Sequence, residues 1–102
     1  MKYNKLVRDK IPQIIKSKKI ALIVHIASDE EYKQKLRAKL QEEVNEFFED
    51  SNEEELADIL EVVYALCDFY NFDKKKLEQI RKDKLKKRGG FKDRIILDET
   101  RE

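Results

Sequence analysis

Apolar residues return every three to four positions over most of this chain, and that spacing predicts helices. In "SDEEYKQKLRAKLQEEVNEFFED", residues 28–50, Tyr32, Leu36, Leu40, Val44 and the pair Phe47/Phe48 share one face, giving an amphipathic helix of about five turns. Ser28 with Glu31 makes a capping box at its start, with Asp29 as the alternative cap. Acids fill the first turn, where the helix dipole favours them. A second capping box, Ser51 with Glu54, opens "EEELADILEVVYALCDFYN". This run is apolar around most of its circumference, as a central helix should be. The connection between the two runs is only a few residues, which makes them antiparallel neighbours.

The flanks are less regular. "DKIPQIIKS" predicts a short first helix, with Pro12 near the first turn, where its missing N–H does no harm. "IALIVHIAS" is a continuous β-rich apolar run and is taken as a strand, with "RIIL", residues 94 to 97, as its partner. Asp73 caps a basic helix, "KKKLEQIRKDKLKKR", ended by Gly89-Gly90. Its apolar positions Leu77, Ile80 and Leu85 are sparse, so its docking should be shallow. The expected fold is all-α, an antiparallel helical bundle, with a small two-stranded β element beside it.

Composition narrows the setting. A chain of 102 residues supports one domain, taken as 1–102. With 40% apolar and 44% charged residues its core should be thin. A thin core in a small helical chain favours a partner subunit, so a homo-oligomer is expected. No apolar stretch approaches the ~20 residues that span a bilayer, and "MKYNKLVRDKIP" is too polar for a signal peptide. The lone cysteine, Cys67, excludes an intramolecular disulfide and reads as a small buried hydrophobe. A soluble cytoplasmic protein is the expectation.

Net charge is +1, but the charges are segregated. From Leu40 to Asp73 there are twelve Asp or Glu and no Lys or Arg, whereas eleven Lys/Arg precede Leu40 and nine lie between Lys74 and Arg88. The pattern suits a cation site framed by anion-binding arms, or solvated faces of different sign. The near-zero total argues against a dedicated nucleic-acid binder.

Four acids stand out on helical wheels. Glu43 falls among Leu36, Leu40 and Phe47, and Glu46 lies at the edge of the same arc. Glu55 projects between Val62 and Leu66, and Asp58 between Ala65 and Phe69. Each pair has i, i+3 spacing, and the short connection brings both pairs to one end of the hairpin. Four ionised carboxylates at one seam repel each other and resist desolvation. Either their pKa values rise until some are neutral, or a divalent cation supplies the missing charge. An all-oxygen set without His or Cys suits Mg²⁺, Mn²⁺ or Ca²⁺ rather than zinc, and rigid helical carboxylates completed by waters suit Mg²⁺ best. No EF-hand loop is present.

"EEVNE" followed by "EELAD" resembles the ExxE…ExxD signature of the all-α nucleoside triphosphate pyrophosphohydrolases, the MazG-like superfamily, which includes phosphoribosyl-ATP pyrophosphohydrolase and dimeric dUTPase. "YNKLVRDKIPQII", "EYKQKLRAKLQEE" and "KLKKRGGF" are similar to a subgroup of small single-domain members regarded as house-cleaning enzymes. The resemblance implies that Glu43, Glu46, Glu55 and Asp58 ligate Mg²⁺, with Mn²⁺ as a substitute. It implies hydrolysis of a nucleoside triphosphate between the α and β phosphates, in a homodimer or a tetramer built from dimers. One departure is visible: only eight residues separate Glu46 from Glu55, fewer than in many relatives. The deficit is close to one turn from each helix, which preserves the facing of the pairs.

Such chemistry needs a base for water and cations for phosphate. Glu42 and Glu46 are the candidate bases, and the sequence does not choose between them. Lys5, Arg8 and Lys10 near the start, and Lys84 and Arg88 one turn apart on the last helix, are the candidate phosphate ligands. The two arginines are favoured because a guanidinium meets phosphate bidentately. Asp9 is placed to pair with one of these bases. "RGGF" reads as a helix C-cap followed by an anchoring aromatic, or as a turn whose N–H groups approach a ligand. His25 lies in an apolar run and reads as structural or surface. Tyr64 and Phe69 fit the core at least as well as a base-stacking role. The rival from another class is a non-catalytic module that holds nucleic acid or an acidic protein on the basic helix, residues 74–88.

Overall fold

Ser28 leaves extended backbone and accepts a hydrogen bond from the Glu31 N–H, and the longest helix of the protein starts there. The computed structural model describes residues 1–101, which contain four helices: α1 (Ile11–Ser17), α2 (Asp29–Glu49), α3 (Glu53–Phe69) and α4 (Lys74–Arg88). Pro12 occupies the first turn of α1, where its fixed φ helps and its missing N–H is not needed.

The α2–α3 corner differs from the predicted capping box in one residue. Asn52, not Ser51, is the cap of α3, and its Oδ1 accepts from the Glu55 N–H at 3.0 Å. Ser51 faces backwards and donates through Oγ to the Phe47 carbonyl. The reason is local: Asn52 is the residue with extended dihedrals, and its side chain reaches the third N–H of α3.

α3 ends in a Schellman turn. Asn71 takes the left-handed conformation at φ 58°, the Phe72 N–H donates to the Cys67 carbonyl, and the Asn71 N–H donates to Asp68. Asp73 then caps α4 through the Lys75 N–H. Gly89 closes α4 at φ 81°, a dihedral that L side chains rarely adopt.

α2 and α3 form an antiparallel hairpin across a three-residue connection, and this pairing holds the core. Leu36, Val62 and Cys67 are its buried apolar residues. At the open end Tyr32 of α2 meets Phe69 of α3 edge-to-face, with ring centroids 5.7 Å apart, and Tyr70 and Phe72 extend the aromatic row. Phe69 is therefore a packing residue. The closed end carries the acids.

Two expected features are corrected. Among the described residues there is no strand: residues 20–28 and 94–97 run as irregular chain and do not pair. Ile23 and Ile26 are essentially fully exposed, as are most of Ile95, Ile96 and Leu97. An apolar run states a need for burial; it becomes a strand only where a second edge takes its N–H and C=O groups. The anchoring aromatic after Gly89-Gly90 is also absent, since Phe91 is 97% exposed. The cap itself holds, with the Gly89 N–H donating to Leu85.

α4 buries no residue. The radius of gyration is 18.4 Å, against about 13 Å for a compact chain of this length. α3 also keeps one apolar side open, with Leu56, Leu60 and Tyr64 exposed at i, i+4, i+8 on the face away from α2. No helix is long and apolar enough to cross a membrane among the described residues.

Candidate metal centre

The seam that carries Leu36 and Val62 also carries Glu43, which is only 6% exposed and is the one buried charged residue among those described. A helix buries a carboxylate only at a cost, and the neighbours show how that cost is met. Lys39, one turn earlier on α2, puts Nζ 3.2 Å from Glu43 Oε1 and 3.5 Å from Glu42 Oε2. Glu43 Oε2 is buried with no hydrogen-bond partner, and so is Glu55 Oε2 across the seam.

The acids fall into two overlapping groups. Glu42, Glu43 and Glu46 bring carboxylate oxygens within 4.8 Å of one another, and so do Glu43, Glu55 and Asp58. Glu43 belongs to both. All four acids singled out by the helical wheels thus converge, but Glu46 joins Glu42 and Glu43 instead of completing a set with Glu55 and Asp58.

The N-terminal segment lies over this cluster. Lys35 of α2 donates to the Asn4 carbonyl at 2.6 Å and fixes the segment along the helix. Lys5 then pairs with Glu42 Oε1 at 3.1 Å, and Arg8 with Asp58 Oδ1 at 2.7 Å. Between the segment and the hairpin runs an open groove of ≈ 290 Å³, lined by Lys5, Val7, Arg8, Ile11, Lys39, Glu43 and Asp58. Arg8 takes Asp58 as its partner, not the adjacent Asp9.

Charge crowding shows in the proton affinities. Hydrogen bonding with the Glu43 carboxyl, then burial and the nearby negative charges, raises Glu46 above its ordinary value. Burial, followed by the charges of Asp58 and Glu43, raises Glu55. Burial also pushes Glu42 upwards, but the Lys5 hydrogen bond and the Lys39 charge outweigh it and hold Glu42 low. The Glu42 hydrogen bond in turn raises Lys5.

The remaining candidates lie elsewhere. Lys10 is the N-cap of α1 and makes no ion pair with these acids, and Lys84 and Arg88 sit on α4 outside the groove. Their helix buries no residue in its own chain, and within one chain they do not reach the acids. Lys39 was not foreseen; its signal was its position three and four residues before two acids of the motif. His25 pairs with Glu31 at 2.8 Å and Cys67 is buried in the hairpin, so neither joins the cluster. Tyr64 carries Lys74 Nζ over its ring at 5.8 Å, at the opposite end of α3 from Glu55 and Asp58.

A hard divalent ion fits what is here. The donor set is all oxygen, and two donors are buried and without partners. The carboxylate oxygens of each group lie within 4.8 Å of one another, so Glu43, Glu55 and Asp58, or Glu42, Glu43 and Glu46, could share a divalent ion. Comparison with protein-family models, curated proteins and solved structures returns no match to this chain.

Proposed function

We propose that the protein is a Mg²⁺-dependent nucleoside triphosphate pyrophosphohydrolase, producing the nucleoside monophosphate and pyrophosphate. The observation that carries this reading is Glu43, a buried carboxylate with an unpartnered oxygen, shared by two acid groups beside a cation-lined groove. The resemblance of "EEVNE…EELAD" to the MazG-like signature supplies the reaction class.

Glu43, Glu55 and Asp58 would hold Mg²⁺, with Mn²⁺ as a substitute. When bound, the ion supplies charge neutralisation for the triphosphate and lowers the pKa of a nearby water. The chain's own residues do the rest. Arg8 and Lys5 line the groove and would bind phosphate oxygens there, Arg8 bidentately. Of the two candidate bases, Glu46 is the better placed, because Glu42 is engaged by Lys5 and Lys39 while Glu46 has no ion pair. Glu46 would take the proton of a water whose oxygen bonds to the α-phosphorus, as the bond to the α–β bridging oxygen breaks and pyrophosphate leaves.

The working form would be a homodimer or a tetramer built from dimers. A helix apolar all round is normally buried on every side, and α3 is covered by α2 on one side alone. A second copy is the fitting occupant of the Leu56/Leu60/Tyr64 face, since the acidic α2–α3 hairpin and the basic α4 are complementary in charge. The same arrangement would give Lys84 and Arg88 a partner that their own chain does not provide.

The experiment is direct. Purified protein with Mg²⁺ and a panel of standard and modified NTPs and dNTPs should release pyrophosphate, not orthophosphate. Absence of turnover across the panel, at several metal concentrations, would refute the reading. The second reading, a non-catalytic binder of anionic partners, is favoured by the wholly exposed basic α4. It predicts salt-sensitive association with RNA or DNA that Glu43→Gln leaves intact.

A further inference from the structure

The two halves of the acid cluster are not equivalent. On the Glu42–Glu43–Glu46 side an ammonium is already in place, since Lys39 Nζ lies within 3.5 Å of both Glu42 and Glu43. The Lys39 side chain is only 18% exposed, so water does little to dilute its charge. Lys5 adds a second cation on the outer oxygen of Glu42. On the Glu43–Glu55–Asp58 side the cation is Arg8, more than half exposed and held by Asp58 alone. Of the two partnerless buried oxygens, Glu55 Oε2 belongs to that second half alone, and Glu43 Oε2 to the residue the two halves share. Glu43 is itself more than nine-tenths buried, and one of its oxygens faces Lys39 while the other has nothing.

We propose that Lys39 is a built-in cation that fills the Glu42–Glu43–Glu46 half of the cluster and limits each chain to one divalent ion, held by Glu43, Glu55 and Asp58. The proposal rests on the reading of the cluster as a metal centre and adds its stoichiometry and the residue that sets it. Local charge agrees. Five carboxylates, Glu42, Glu43, Glu46, Glu55 and Asp58, stand against Lys5, Arg8 and Lys39, leaving two negative charges, which one divalent ion cancels. A second dication beside Glu42 and Glu43 would lie within a few ångströms of a tethered ammonium that cannot diffuse away. Lys39 also holds one Glu43 oxygen, Oε1, and leaves Oε2 buried and without a hydrogen-bond partner.

The test uses Mn²⁺ alone, titrated into the full chain and read by calorimetry and by the loss of free-ion electron paramagnetic resonance signal. The unaltered protein should bind one Mn²⁺ per chain. Lys39→Met keeps the aliphatic stem and removes the charge; it should take a second Mn²⁺, with a Kd within about tenfold of the first. Adding Glu46→Gln to Lys39→Met should remove that second ion and leave the first. Lys39→Arg should keep a single ion. In the otherwise unaltered chain Glu46→Gln should retain its one ion, which gives a readout even if Lys39→Met does not fold. Two ions on the unaltered protein, one ion on folded Lys39→Met, or loss of the ion in Glu46→Gln would overturn the proposal. Mn²⁺ binding by neither the unaltered chain nor Lys39→Met would instead refute the metal centre itself.

Discussion

Arg8 and Asp58 are fifty positions apart, and the Arg8 guanidinium lies 2.7 Å from Asp58 Oδ1. The contact ties the N-terminal segment to the hairpin through the acid that a metal ion would claim. With a metal centre as proposed, guanidinium and dication would compete for one carboxylate. Arg8→Gln should tighten Mn²⁺ binding severalfold in the absence of nucleotide. It should raise KM for the triphosphate by about tenfold or more, because a charge-assisted bidentate contact is lost. Stability should fall by no more than about 1 kcal/mol, the pair being largely exposed. Calorimetry, steady-state kinetics and urea denaturation separate the three effects.

Glu43→Gln removes the acid common to both groups. Pyrophosphate release and Mn²⁺ binding should both be abolished. The fold should survive, because Lys39 retains Glu42 and the amide keeps the shape of the carboxylate. Circular dichroism beside the metal titration checks this, and a folded variant that still hydrolyses nucleotide would count against the assignment.

The acids also predict an unusual pH response for the metal-free protein. Glu46 and Glu55 have raised proton affinities in the folded state, so their stabilisation is fully present at low pH and is lost as pH rises through their folded values. Glu42 behaves oppositely, its stabilisation being lost as pH falls through its lowered value. As pH drops from about 7 towards the ordinary carboxylate value of 4.5, the denaturation midpoint should rise, then fall at more acid pH as Glu42 is protonated. Glu46→Gln should flatten the rise, and excess Mg²⁺ should invert it.

At the hairpin corner, Asn52→Ala should cost about 1 kcal/mol through loss of the α3 cap. Ser51→Ala should cost less than about 0.5 kcal/mol. Equal losses in thermal or urea denaturation would show that the cap is shared.

Leu60→Glu places a charge in the middle of the exposed α3 stripe. Light scattering coupled to size exclusion should show an oligomer for the unaltered chain and a monomer, or a concentration-dependent mixture, for the variant. An unaltered chain that runs as a monomer at micromolar concentration would remove the second copy from the scheme.

Much of this was readable from residue spacing. Period and caps located α2, α3 and α4 to within a residue or two, because Ser28 and Asp73 offer the right side chain one step before a helical run. The wheel put Glu43 in the apolar arc, and it is the buried acid. Three things escaped for a common reason: each depends on a partner distant in the chain or outside it. "IALIVHI" and "RIIL" look like strands because they are apolar, but their mates are missing. Lys84 and Arg88 were grouped with the acids as phosphate ligands, and within one chain they lie outside the groove. Lys39 looked like one more lysine until the seam closed around it.

The three-residue corner between α2 and α3 has a consequence for how such a protein can change. One added residue there would turn α3 by about 100° about its own axis relative to α2. Glu55 and Asp58 would swing off the seam while almost every side chain stayed the same. Insertions after Phe72, past the aromatic row and the turn that closes α3, leave the facing of Glu55 and Asp58 unchanged. Indel tolerance along this chain should therefore be lopsided, forbidden at one bend and free at the next.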